Sequence, residues 1–416
     1  MNADVEAAVV AAFRQEWGRV VATLIRLTGD WDLAEECAQD AFARALEHWP
    51  RGGIPRRPGA WLTTTARNRA LDRLRRSATE AAKLQEVALL PQPDAPDDAA
   101  ARSGISDDRL RLIFTCCHPA LPLEARVALT LRTLVGLTTA EIARALLIPE
   151  PTMAKRLVRA KHKIHNAAIP YRVPPAHLLP ERTAAVLAVL YLLFNEGYTA
   201  TAGADLVRQG LCEEAIRLAR TLAELMPDEP EALGLLALML LHHARRAART
   251  DDAGDLVTLE EQDRTRWDRG QIDEGVSLLE MALRRGPAPG PYQLQAAIAA
   301  CHATARNAGD TDWARIAALY GRLARLAPSA VVELNRAVAV AMADGPAAGL
   351  ELVQALDASG ELAGYHLLPA TRADLLRRLD RPAEAAAAYR QALALAATDA
   401  ERRYLTRRLS ETTGKD

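Results

Sequence analysis

The segment from Pro151 to Pro170, PTMAKRLVRAKHKIHNAAIP, holds five Lys or Arg and no Asp or Glu. Positive charge at that density suits the phosphates and base edges of nucleic acid, provided that the stretch is a helix with one apolar side. Met153, Leu157 and Ile164 supply that side, and Lys155, Arg156, Arg159, Lys161 and Lys163 are assigned to the opposite one. The preceding LTTAEIARALLIPE reads as a first helix. Thr138 or Thr139 caps it, Glu141 sits in its first turn, and Ile142, Ala143 and Leu146 form its buried stripe. Ile148, Pro149 and Glu150 make the turn, and Thr152 begins the second helix. In such a helix-turn-helix the start of the second helix enters the major groove while flanking cations hold phosphates. Thr152, Lys155, Arg156 and Arg159 are the candidate groove contacts, with Lys161 and Lys163 as phosphate partners. A solvated basic face on an ordinary hairpin is the competing reading; the capped first helix and the short turn favour DNA.

A second basic segment runs from Trp61 to Arg76, WLTTTARNRALDRLRR. Arg67, Arg69, Arg73, Arg75 and Arg76 oppose a single acid, Asp72, and Trp61, Leu62, Ala66, Leu71 and Leu74 give an apolar face. The loop before it, His48 to Gly59, adds Arg51, Arg56 and Arg57 among glycines and prolines. A basic helix beside a basic loop that contains aromatics suits single-stranded DNA, whose backbone follows cations and whose splayed bases need pockets. A membrane surface is the alternative for a basic amphipathic helix.

These helices must be positioned by a largely helical chain. Its 416 residues suggest two to four domains, and half the residues are hydrophobic while aromatics are only 4%. The formal net charge is −1, so nucleic-acid binding must come from local patches. Five cysteines, an odd number, form no disulfide framework. The N-terminus lacks a basic stretch followed by an apolar run, so no signal peptide is expected. The longest apolar run, Thr183 to Phe194, is about twelve residues and too short to span a bilayer. A cytoplasmic chain with no membrane partner is expected.

Domain boundaries are expected as follows: a helical domain over 1–80, a flexible Pro/Asp/Ala-rich linker over 81–106, a helical domain over 107–168, and a helical C-terminal part over 180–416. Four helices of that last part share a texture around Gly275, Ala314, Gly349 and Ala385, spaced 39, 35 and 36 residues apart. An earlier copy holds Ala215, and Pro227, Pro287 and Pro328 close three of the copies. A period near 35 with helix, breaker, helix marks a tetratricopeptide-like solenoid. The insertion HHARRAARTDDAGD interrupts it and is expected to be polar, with His242 and His243 exposed.

The first half of the chain resembles an extracytoplasmic-function (ECF) sigma factor. AEECAQDAF (Ala34 to Phe42) resembles that family's polymerase-binding helix in region two, and PGAWLTTTARNRALDRLRR (Pro58 to Arg76) resembles its promoter-melting and −10-reading helix. The run from Leu121 to Ile164 resembles region four, which reads the −35 element. With YLLFNEGYTAT (Tyr191 to Thr201) and the solenoid tail, the whole chain resembles the subgroup with a tetratricopeptide-like extension. Glu150 and Met153 depart from the family's usual residues, which bears on the promoter sequence and not on the fold.

The resemblance implies an all-α architecture and a non-enzymatic role in transcription initiation. Glu36, Gln39 and Asp40 would face the clamp helices of the polymerase β′ subunit; the β subunit and promoter DNA are the other implied partners. His48, Arg51, Trp61, Asn68, Arg69, Arg73 and Arg76 would contact the −10 strand, and Trp61 would serve equally well as a core residue. The solenoid would contact the sigma domains, a polymerase surface or another protein. A one-component helix-turn-helix regulator with a solenoid sensor is the rival reading, and a scaffold with degenerate DNA-binding domains is another. Cys116, Cys117 and His118 lack the spacing of a zinc site. No phosphate-binding loop, dinucleotide turn, serine nucleophile elbow or HExxH motif occurs, and neither a cofactor nor catalysis is expected.

Overall fold

The computed structural model describes the chain except residues 1, 85–107, 147, 200–205, 252–254, 287, 397 and 415–416. Most of the expected linker therefore lies outside the described residues, as do Pro287, the end of YLLFNEGYTAT and part of the insertion. The chain divides into two compact units, 1–192 and 193–416. Among the described residues there is no β-strand, and one isolated antiparallel bridge joins Thr250 and Leu256.

In the first unit, α1 (Asn2–Thr28), α2 (Trp31–Gly52) and α3 (Pro58–Leu84) pack against one another. Asp30 starts α2 by accepting hydrogen bonds from the amides of Asp32 and Leu33, satisfying donors that have no partner inside the helix. The small residues Ala34, Ala38, Ala41 and Ala45 line its buried side, with Phe42. Phe42 meets Phe13 and Trp17 of α1 at ring separations of 5.1 and 6.0 Å.

The next helices are α4 (Asp108–Cys116), α5 (Leu123–Leu129), α6 (Thr139–Ala145) and α7 (Glu150–Asn166). α5 continues into a π-helical turn over Thr130–Val135, which ends at Gly136 in the left-handed region. A side chain at Gly136 would also strike the Phe13 ring, since its Cβ would lie 2.7 Å away. Both α4 and the π-helical turn pack on α1, so the two segments singled out as DNA-binding share one compact unit. The Tyr171 hydroxyl fastens the chain beyond α7 to the same unit, donating to the carbonyl of Ala22 at 2.9 Å, with the Asp108 carbonyl at 3.2 Å.

α8 (Leu179–Thr199) corrects one expectation. The helical stretch from Ala176 to Tyr198 is long and apolar enough to cross a membrane, by length and composition alone. Ala176, Leu178 and Leu179 before the run and Tyr198 after it lengthen the apolar stretch, with Pro180 in the first turn of the helix. Val186, Leu187, Val189, Leu190, Leu193 and Phe194 along it are buried within the protein.

The second unit is a succession of helices: α9 (Leu206–Leu225), α10 (Pro230–His243), α11 (Arg269–Arg285), α12 (Pro291–Thr304), α13 (Trp313–Leu326), α14 (Ala330–Asp344), α15 (Pro346–Ser359), α16 (Leu367–Arg378), α17 (Pro382–Leu395) and α18 (Asp399–Thr413). Each packs on the next. That is the arrangement expected of a solenoid, in which a helix pair buries its apolar faces only against neighbouring pairs. Gly349 sits where α14 meets α15; a Cβ there would lie 2.4 Å from that of Ala341. Gly275, Ala215 and Ala385 are likewise buried, whereas Ala314 is exposed. α13 instead buries Ile316, Leu319 and Leu323, so its repeat is rotated relative to the shared texture.

Candidate nucleic-acid interface

Thr138 caps α6 in a reciprocal box: its hydroxyl accepts from the Glu141 amide while the Glu141 carboxylate accepts from the Thr138 amide at 2.7 Å. Ile142, Ala143 and Ala145 are buried, and Leu146, expected among them, is half-buried where the helix ends. α7 begins at Glu150, two residues before the expected Thr152, with Pro151 in its first turn, where a missing amide costs nothing. Met153, Leu157, Ala160 and Ile164 form its buried stripe.

The six side chains assigned to DNA on α7 do not share one face. Thr152, Lys155, Arg156, Arg159 and Lys163 line an open groove of about 640 Å³ against the start of α5, with Glu124 also in its lining. Lys161 lies two residues from both Arg159 and Lys163, which is about 200° around a helix. It points the other way, into a cleft of about 820 Å³ shared with Asp32, Glu35 and Arg132. Its ammonium lies 2.7 Å from Asp32 and 3.0 Å from Glu35. Arg132 in the π-helical turn donates to the other oxygen of Glu35 at 2.9 Å. Only 5% of the Glu35 side chain is exposed. A carboxylate so desolvated requires its cations, and here both come from the region-four-like segment. Sequence reasoning missed this cluster. Arg132 leaves a signal, as a lone cation inside the apolar run ALTLRTLVGL; Glu35 sits in an acidic pair and leaves none.

On the other basic helix the candidates divide again. His48, Arg51, Asn68 and Arg76 are exposed, as is Arg67. Trp61 is half-buried and lies edge-on to buried Trp49 at 5.7 Å, with the His48 ring 6.5 Å away. Arg69 instead donates to Asp40 at 2.9 Å, and Arg73 pairs with Glu36 and approaches Asp40 at 3.7 Å. Two of the acids assigned to the polymerase thus neutralise two of the arginines assigned to the −10 strand; Gln39 remains exposed. The loop joining α2 to α3 sets which faces meet, so this seam is not legible from either helix alone.

Cys116 and Cys117 are fully buried beside the hydroxyls of Thr133 and Thr130, at 3.1 and 3.7 Å. Burial pushes the Cys117 thiol up to about 11, and Cys116 higher still, so both stay protonated and behave as small core residues. Among the described residues no three His, Cys, Asp or Glu side chains are gathered as a metal site. One expectation is reversed in the tail: His243 is buried and His242 half-buried, because α10 runs on through both before the insertion begins. Ala244 and Ala248 of that insertion are buried as well.

Comparison with known proteins matches residues 12–80 to Sigma-70 region 2 and residues 111–164 to Sigma-70, region 4. Residues 182–283 match a family of unknown function, DUF6596. The uncharacterized protein R00370 of Rhizobium meliloti is 45% identical over 97% of this chain and 95% of its own length. The probable ECF RNA polymerase sigma factor SigI of Mycobacterium tuberculosis is 30% identical over 40% of this chain and 58% of its own length. The ECF RNA polymerase sigma factor SigL of the same species is 33% identical over 37% of this chain and 86% of its own length. With regions 2 and 4 in this order and a helical extension behind them, the chain belongs to the ECF RNA polymerase sigma factor family.

Proposed function

We propose that this sigma factor binds the RNA polymerase core and directs initiation at promoters carrying its −10 and −35 elements, acting in the cytoplasm. The α7 groove supports this most strongly: it gathers Thr152, Lys155, Arg156, Arg159 and Lys163 on one open face of a capped helix-turn-helix. Thr152, Lys155, Arg156 and Arg159 read −35 bases, and Lys163 holds a phosphate. The exposed residues His48, Arg51, Asn68 and Arg76, with Trp61 at their edge, receive the unpaired −10 strand. Glu36, Gln39 and Asp40 offer an acidic edge to the β′ clamp, for which Arg69 and Arg73 are the internal competitors. Lys161 joins the phosphate contacts once it leaves Asp32 and Glu35. The domain limits follow the same division: region two over 1–80, a linker over 81–106, region four over 107–168, and the solenoid from 180 onward. In vitro transcription with core polymerase and genomic templates tests the proposal. Initiation that needs this protein and no other factor is expected; duplex binding without any initiation would instead identify a one-component regulator.

A further inference from the structure

The tail holds a concentration of positive charge that promoter binding does not use. Where the insertion leaves α10, Arg245 donates to the Tyr198 hydroxyl at 2.9 Å and reaches His242 Nδ1 at 3.1 Å. Arg249 lies over the Tyr198 ring, 3.7 Å from its centroid, and donates to the Tyr198 carbonyl. Arg264, 7% exposed, stacks 4.5 Å from the Trp267 ring centroid and donates to the carbonyls of His302 and Ala305 at 2.5 and 3.0 Å. Arg245 approaches the same indole at 6.0 Å.

These described hydrogen bonds all go to uncharged acceptors. Elsewhere in the tail arginines meet carboxylates: Arg378 with Glu260, Arg408 with Glu261, Arg403 with Asp255. Burial holds the Arg245 and Arg264 guanidiniums below the usual arginine range; Arg249 adds like charge to Arg245, and Asp310 offers opposing charge to Arg264. The two imidazoles cannot help. Burial, with Arg245 nearby, holds His242 down at about 3 and His302 at about 4, so both are neutral. The indole Nε1 of Trp267 is buried without a hydrogen-bond acceptor. Among the described residues, three partly desolvated guanidiniums and an orphaned donor gather with no ion pair to a carboxylate, an environment suited to an anion.

We propose that Arg245, Arg249, Arg264 and Trp267 form a binding site for a small multiply charged oxyanion, a phosphate or a short di- or tricarboxylate. The guanidiniums match oxyanion geometry with paired donors, and the aromatic faces fix their planes. Tyr198, from the YLLFNEGYTAT stretch, supports two of these arginines, accepting from Arg245 and lying under Arg249. The site would let metabolite concentration act on the solenoid, since a ligand that binds only the folded unit stabilises it.

The test titrates the full-length protein at constant ionic strength with inorganic phosphate, pyrophosphate and citrate, following heat of binding and the histidine ring signals by NMR. One saturable site is expected, with upward movement of the His242 and His302 titrations. Affinity should fall at least tenfold in Arg245→Gln and Arg249→Gln and stay unchanged when Arg156→Gln and Arg159→Gln remove cations from the α7 groove. A preference for pyrophosphate or for citrate tells the two ligand classes apart. If Arg245→Gln fails to fold, the histidine signals of the unmodified protein decide. Absence of saturable binding, unmoved histidine titrations, or binding lost only with the α7 cations overturns the site, and none of these outcomes touches the sigma-factor reading.

Discussion

Positive charge is concentrated in two regions, and the chain handles it in opposite ways. On the groove face of α7, Lys155, Arg159 and Lys163 are exposed, so water solvates them until an anionic partner displaces it. Around Tyr198 the arginines are pressed against rings and carbonyls, Arg264 buried and Arg245 and Arg249 half-buried. A cation count therefore does not locate a nucleic-acid surface. Exposure does, and the near-neutral formal charge of −1 conceals both regions. Lys161 stands between the extremes: 15% exposed like the tail arginines, yet matched to two carboxylates.

Breaking that intermediate case gives the largest expected effect. Glu35→Ala leaves Arg132 and Lys161 facing each other without their buried counter-charge. It should destabilise the first unit by about 3 kcal/mol, read as a shifted urea midpoint with unchanged slope. The groove face should behave otherwise. Arg156→Ala or Arg159→Ala should leave stability within about 0.5 kcal/mol. Each should weaken duplex −35 binding by about 1–3 kcal/mol, measured by fluorescence anisotropy across a salt series. In the same series Lys163→Ala should lower the salt slope by about one and weaken all sequences alike. Removing the cap that aims α7, with Thr138→Ala, should cost about 1 kcal/mol in thermal unfolding and reduce DNA binding only through helix positioning.

A pH signature is also expected in the second unit. His242 titrates at about 3 when folded against 6.5 for the ordinary group. The unfolded chain therefore binds the extra proton between those values, so stability rises with pH across that window. Solenoid stability should fall as pH drops from 6.5 toward 3 and level off above 6.5. His242→Phe should reduce that slope, and calorimetry at several pH values would show it; His302, also held down by burial, supplies part of the remainder.

Much of this is legible in the sequence because it depends on local chemistry. The capping box at Thr138 and Glu141 acts within one turn, and the stripe Met153–Leu157–Ile164 and the small residues Gly275, Gly349 and Ala385 follow the period of their own helices. The rest depends on which faces meet. Arg69 and Arg73 read as free cations in the sequence, and α2 places Asp40 and Glu36 against them. Lys161 counts with its basic neighbours in the sequence, and the 3.6-residue period separates it from them. His242 and His243 are followed by a polar insertion, yet they close the apolar helix α10, which carries them into packed surroundings.

Promoter recognition, as proposed, turns on the cations of α7. Transcription reconstituted from core polymerase, this protein and a promoter it selects should initiate, and Arg156→Glu with Arg159→Glu in the same chain should abolish initiation while core binding persists. Initiation undiminished by that double reversal would show that α7 does not read the promoter.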